Sequence, residues 1–388
     1  MNKKEKLWTA PFVTNMGLNF AIYFSFYLLT IVIGSMSMTK MNASASLAGL
    51  LSGIFIFGGF FGRLWMGRNI NRLGIKKAMV IGLAVYFIFS LAYYVVNDAS
   101  ILVIIRILHG IGFGMAATAT GTFAGEIVPV SRRGEGIGYF ALSITLSSAL
   151  GPFLSMLLYA KYGFSLILHL TVVLSALCVI AAALIKIPAS IVLPVEKEKQ
   201  PLTFSSLFEL KAMPISIIGL LVGAAYSSIL SFMNSYTVAI DLVSAGSIFF
   251  VVYAVAILVS RPLTGRLFDT KGDNFVMYPT FIFFALGLVL VGLAQSSWML
   301  LLAAVFIGLG YGSFPPFAQA IAIREGGQDR VGVSTSTFFG FLDMGVGLGP
   351  ILMGVIMPLV GYRMMFYLCA ILVVLITIGY YFSHGKKH

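Results

Sequence analysis

Among the ionisable side chains inside apolar runs of this 388-residue chain, Arg106, His109 and Asp343 are the candidates for chemistry. A charge at mid-membrane costs roughly 2.5 kcal/mol or more on translocon scales, so each needs a reason to exist. Asp343 falls eleven residues into its run, about 16 Å along a helix and close to the midplane. A carboxyl group there can bind and release a proton as water access alternates; the alternative is a protonated acid donating one structural hydrogen bond. Arg106 lies about seven residues, roughly 10 Å, below the outer end of its run. Its permanent charge suits an acid or an anionic group, or else snorkels to the outer headgroups. His109 follows three residues later on the same helix face, placed to relay protons or to bond a neighbouring carbonyl.

Polar stripes accompany these groups. Asn15, Asn19 and Tyr23 follow one helical face, Tyr139, Ser143 and Ser147 a second, and Ser227, Ser231 and Asn234 a third. Such stripes on otherwise apolar helices predict the wall of a central cavity that contacts a small-molecule ligand. Phe314, Phe317, Phe338 and Phe339 add an aromatic wall suited to amphipathic solutes, with plain packing as the alternative. Cys178 and Cys369 fall in apolar runs and read as inert small hydrophobes, not as a disulfide or metal pair.

The elements that must position these side chains follow from composition. Hydrophobic residues make up 59% of the chain and charged ones 10%, and mean hydropathy is +1.00; a soluble fold cannot hide that much apolar surface. Runs long enough to cross about 30 Å of hydrocarbon recur at 11–34, 46–66, 78–96, 100–124, 134–160, 163–187, 214–238, 246–266, 275–294, 298–322, 332–358 and 362–383, which predicts twelve spanning helices. The net charge of +12 would suggest nucleic acid in a soluble protein, but its placement excludes that partner. With the N-terminus inside, the outer segments hold only Lys40, Lys161 and Arg363, while, Arg106 apart, the inner ones hold the rest, Arg63, Arg68, Arg72, Arg261 and Arg266 among them. That asymmetry predicts both termini in the cytoplasm. The basic start, Met1–Lys6, precedes a full-length apolar run without a small-residue cleavage site, so it reads as leading into a first spanning helix.

The chain also repeats itself. Gly67 and Gly265, Gly74 and Gly272, Gly110 and Gly308, Gly112 and Gly310, Gly151-Pro152 and Gly349-Pro350, and Gly163 and Gly361 are each 198 positions apart, as are Arg63 and Arg261. One register held over about a hundred residues predicts two homologous halves, 1–187 and 214–388. The polar segment 188–213 joins them, and within it Leu202, Phe204, Leu207, Phe208 and Leu210 suit a short amphipathic helix or an unstructured linker. Asp343 and Arg106 are not copied: Thr145 and Ala304 stand in their places.

The loop Gly67-Arg68-Asn69-Ile70-Asn71-Arg72-Leu73-Gly74-Ile75-Lys76-Lys77 resembles the signature between the second and third helices of the major facilitator superfamily, and Gly265 through Gly272 is its second copy. The family usually has Asp where Asn71 stands; the second copy keeps Asp269. The resemblance implies a gate in which Gly67, Asn71, Arg72, Gly74, Gly265, Asp269 and Gly272 lock the cytoplasmic side. Arg106 through Gly110 is similar to a motif of the family's proton-coupled members, with His109 replacing Gln. Gly151-Pro152 is similar to the antiporter motif of its drug/proton branch, and Gly349-Pro350 echoes it. The sequence is therefore expected to form an all-α major facilitator fold of two six-helix bundles. The function implied is proton-driven export of a small amphipathic or cationic molecule by a monomer in a bacterial inner membrane, with the proton gradient as energy source and no cofactor. The alternatives are a symporter or facilitator importing a nutrient, or a receptor that binds without transport. Enzyme signatures, a P-loop or His-Glu-x-x-His among them, are missing.

Overall fold

The computed structural model describes residues 6–188, 191 and 203–387. Among these the chain is all-helical, with α1 (Ala10–Met41), α2 (Ala45–Leu73), α3 (Ile75–Ala92), α4 (Ala99–Ile127), α5 (Arg133–Leu184), α6 (Phe204–Leu207), α7 (Met213–Ala239), α8 (Val243–Lys271), α9 (Asp273–Leu293), α10 (Ser297–Leu309), α11 (Phe314–Gly326) and α12 (Val331–Ser383). Three helix starts are capped by side chains that accept from orphan backbone N–H groups. Thr9 accepts from Phe12 N, Ser44 from Leu47 N, and Asp98 from the N–H groups of Ser100 and Ile101 at 2.8 and 3.0 Å.

Nine helical stretches among the described residues are long and apolar enough to cross a membrane. Two of them, Val130–Leu184 and Gln328–Ser383, run 55 and 56 residues, about twice what a bilayer needs. Each turns at one glycine with positive φ, Gly163 at 73° and Gly361 at 80°, a conformation that other residues adopt only at a cost. With the 29 residues of α2, this set is consistent with twelve crossings. The span predicted at 298–322 is not one helix, because α10 ends at Leu309 and α11 begins at Phe314. Pro315 and Pro316 explain the break: neither can donate to the carbonyl four residues back, at Tyr311 and Gly312. The amphipathic linker helix shrinks to the four residues of α6, and Leu202 lies outside the described residues.

The chain forms two compact units. The first comprises Met1–Pro129, Leu146–Glu209 and Gly327–Thr337, and the second Val130–Thr145, Leu210–Gly326 and Phe338–His388. Within each unit the same glycine-lined approach recurs. Gly112 of α4 faces the Tyr86 backbone of α3, and Gly310 faces the Phe284 backbone of α9; Tyr86 and Phe284 are themselves 198 apart. The repeat in sequence is thus a repeat in packing, with backbones drawn together where a side chain would hold them apart. A Cβ on Gly112 would lie 2.5 Å from Tyr86 N. Gly112→Ala and Gly310→Ala are each expected to cost about 1–3 kcal/mol through overpacking. The corresponding drop in melting temperature is measurable on the detergent-purified protein, and an unchanged value in both would separate the repeat from packing.

Candidate functional site

Asp269 sits near the end of α8, and its two carboxylate oxygens accept from the N–H groups of Gly134 and Glu135 at 2.7 and 2.9 Å. These are orphan donors at the start of α5, where the helix dipole favours an anion. Glu135 in turn pairs with Arg132 at 2.8 Å and lies 3.7 Å from Arg266. Gly265 packs against the Glu135 backbone, so the small residue lets α8 approach closely enough for the cap to form. Gly272 follows with φ at 88° and turns the chain into α9. The second copy of the loop is therefore a closed charged cluster around one helix N-terminus.

The first copy reaches the same end by different groups. Asn71 donates its Nδ2 to the Asp329 carbonyl at 2.7 Å, where Asp269 accepts. Gly67 packs on Ser336 and Gly332, and Gly74 turns the chain at φ 76°. Arg72 is exposed. The position equivalent to Glu135 is Val333, so the acid comes from elsewhere. Glu209, at the end of the linker, pairs with Arg330, and its own N–H donates to Thr337 Oγ1 at 2.9 Å. Glu209 is buried, and nothing in the sequence pattern marked it.

Arg106, His109 and their neighbours form one cluster in the first unit. Arg106 is fully buried, donating through Nε to Leu51 O at 2.9 Å and through its other nitrogens to Thr30 Oγ1 at 3.2 Å and Tyr93 OH at 3.5 Å. Its guanidinium also lies over the Phe55 ring at 4.5 Å. It therefore does not snorkel. His109 shares Tyr93 OH through Nδ1 at 3.1 Å and stacks on Tyr86 with ring centroids 4.2 Å apart. Asp343 belongs to the second unit, half-buried on α12, twelve residues after Val331, about 18 Å along the helix.

Of the polar stripes, much is internal tie. Asn15 Nδ2 donates to Thr120 O at 2.9 Å, and Thr120 Oγ1 donates to Asn19 Oδ1 at 3.0 Å, so both amides bind α1 to α4. Ser143 and Ser227 donate to carbonyls one turn back, Phe140 and Ala224. Tyr139 is half-buried, while Ser231 and Asn234 are exposed. Phe314, Phe317 and Phe338 are fully buried, and Phe339 is buried at 8% exposure. Phe314 packs between Phe281 and Phe338, so the alternative reading of that wall, packing, fits it better. Gly151 lies against Tyr27 and Gly349 against Ser227, each just before its helical proline, Pro152 or Pro350.

The side chains that the sequence reading passed over are Arg63 and Arg261. Both were counted as inner-loop cations, yet both are 1% exposed. Each stands ten residues before the end of its helix, roughly 15 Å from that end. The signal was present, since each falls inside its own predicted span. Arg63 Nη2 donates to Tyr23 OH at 3.1 Å, and Tyr23 sets its ring edge-on to Phe113. A further cluster has no sequence signal: the buried Asp273 accepts from Arg324 and, at 2.7 Å, from His384 Nε2.

The sequence profile described as Major Facilitator Superfamily matches residues 16–286 and 240–388. A staphylopine export protein of Staphylococcus aureus is 22% identical, over 87% of this chain and 87% of its own. The multidrug resistance protein MdtG of Escherichia fergusonii is 24% identical, over 98% and 93%. The crystal structure of the human organic anion transporter MFSD10 shares the fold, with a TM-score of 0.81 at 13% identity over 96% of this chain and 100% of that one.

The cap on α5 gives a direct test. Asp269→Ala removes the acceptor for two backbone donors and is expected to cost about 1 kcal/mol, as other helix caps do. Asp269→Asn, which keeps one acceptor, should cost less. Melting temperatures of the two variants in the same detergent check the order; a reversed order would show that the cap contributes nothing.

Proposed function

Because the chain belongs to the major facilitator superfamily of transporters, we propose that it is a proton-coupled antiporter that exports a small amphipathic molecule by alternating access. The observation that carries this reading is Asp343, a half-buried carboxyl group deep in an apolar helix. A group that must take a proton from one side and release it to the other has to be titratable and reachable from both, and half-burial in a spanning helix suits that duty. Relatives named for staphylopine export and multidrug resistance support the outward direction. Of the two solute classes that the resemblance implied, the amphipathic one is favoured over the cationic: Arg63, Arg106 and Arg261 put three buried positive charges in the spanning helices, a poor environment for a cation. The energy source is the proton gradient, the working unit a single chain, and the location a bacterial inner membrane with both termini in the cytoplasm.

Purified protein in liposomes with an imposed pH gradient tests the coupling, read with fluorescent amphipathic dyes. The wild type should accumulate dye against its gradient, with proton movement in the opposite direction. Asp343→Asn should retain the fold and downhill exchange but lose accumulation. Wild-type accumulation by that variant at every pH would remove Asp343 from the coupling role, and dye and protons moving together would make the protein a symporter. Orientation is read separately. Both native cysteines are buried, so a cysteine introduced at Ser44 should label from outside with an impermeant thiol reagent and one at Asn69 should not. The reverse pattern would invert the topology.

A further inference from the structure

Arg261 is a buried cation whose hydrogen bonding is incomplete. Its Nη2 donates to Gly312 O at 2.9 Å, while Nε and Nη1, both enclosed, meet no acceptor. Among the described residues no carboxylate pairs with it. The bond to Gly312 has a clear cause, since Pro316 cannot donate to that carbonyl and the break between α10 and α11 leaves it open. One neutral donor would close that gap. A guanidinium brings a permanent charge and further N–H groups that the fold leaves unused, in a setting where an unpaired buried charge is strongly disfavoured.

The first half holds its arginine differently. Arg63, the equivalent residue, has the Tyr23 hydroxyl as partner. Between α1 and α7 the offset is 200, since Ser147 meets Phe20 O and its equivalent Gly345 meets Leu220 O; the position matching Tyr23 is therefore Gly223, so the second half keeps the arginine and lacks the hydroxyl. The neighbours have changed in the opposite sense: where the first half has Phe26, Phe55 and Phe113 in mutual ring contact, the second has Tyr226, Tyr253 and Tyr311. Tyr226 and Tyr311 stack face to face with centroids 3.6 Å apart, and Tyr253 lies beside Tyr226 at 6.1 Å. Tyr311 adjoins the carbonyl that Arg261 holds, in the turn between the two helices. Ser313 Oγ in the same turn is likewise buried without a partner. The first-half counterpart, α4, runs unbroken from Ala99 to Ile127. Irregular backbone at membrane depth is tolerated where it is buried in protein or lines a site.

We infer that Arg261 holds the anionic group of the transported solute, with the Tyr226, Tyr253 and Tyr311 cluster receiving its aromatic or apolar part. The solute class is an amphipathic organic anion carrying a carboxylate or a comparable acid. This rests on the proposal of amphipathic export and narrows it. The bidentate fork of the guanidinium matches a carboxylate, and stacked phenols offer both apolar faces and hydroxyl edges.

Three ligands of one scaffold test the assignment by equilibrium binding to the purified full chain: 4-phenylbutyrate, its neutral amide and 4-phenylbutylamine. No gradient is applied, so the result is independent of coupling and direction. The wild type should bind the acid at least tenfold more tightly than the amide, with the amine weakest. Arg261→Gln keeps a donor for Gly312 O and removes the charge; it should abolish the preference for acid over amide while amide affinity and melting temperature stay near wild type. Where that variant is not monodisperse, Arg261→Lys is read instead and should retain a reduced preference. An Arg261→Gln protein with the wild-type preference, an Arg261→Lys protein with an undiminished one, or a wild type without any would each overturn the assignment. Repeating the measurement in phosphatidylglycerol nanodiscs separates solute from headgroup: a preference that survives supports the solute, and one that vanishes there assigns Arg261 to lipid phosphate and overturns it.

Discussion

A backbone surrounded by hydrocarbon has no water to bond with, so every N–H and C=O must find a partner within the protein. The helices meet most of this demand, and the remaining features of the structure arise where they cannot. Asp269 meets it at the start of α5 by accepting from two N–H groups. Elsewhere side chains use the second lone pair of carbonyls already bonded within a helix, as Asn15 does at Thr120 O and Arg106 at Leu51 O. Pro315 and Pro316 create the demand by interrupting a helix, and Arg261 answers at Gly312. Asp269 and Arg261 are thus first of all solutions to backbone deficits. A functional group is one that supplies more than its deficit requires.

That distinction explains what the sequence made legible. Spans and the repeat register rest on hydropathy and glycine spacing, which depend on local properties, and the positive φ of Gly163 and Gly361 gives the register a conformational basis. The superfamily resemblance agreed with the profile match over residues 16–286 and 240–388. Side-chain roles were less legible because they depend on which helix lies opposite. Asn15 and Asn19 look like cavity residues by their stripe, but their partners are on α4. Arg63 and Arg261 look like inner anchors by charge alone, although their place within predicted spans already argued otherwise. The break at 310–313 could have been read from adjacent prolines, whose missing N–H groups outweigh a continuous apolar pattern.

The two halves agree in glycines and differ in polar partners. Close approach is a steric requirement that only the smallest residue meets, so Gly112 and Gly310 are constrained alike. Hydrogen bonding has several solutions. Asn71 donates to a carbonyl where Asp269 accepts from N–H groups, and each loop remains tied to the start of a helix. Symmetry therefore survives in the packing and is lost in the chemistry, which places the capacity for a directed task in the differences between the copies.

The ion pair of Glu209 with Arg330 marks how far this divergence has gone. In one copy the acid, Glu135, sits within the same helix turn as its arginine; in the other that position is Val333 and the acid arrives from the connecting segment. A segment that began as a tether between duplicated modules has become a structural part of one of them. The two copies have thereby ceased to be interchangeable, since each draws the acid for its arginine from a different segment. The tether is also no longer free to vary in length near its second end, because a residue inserted there would move a buried charge.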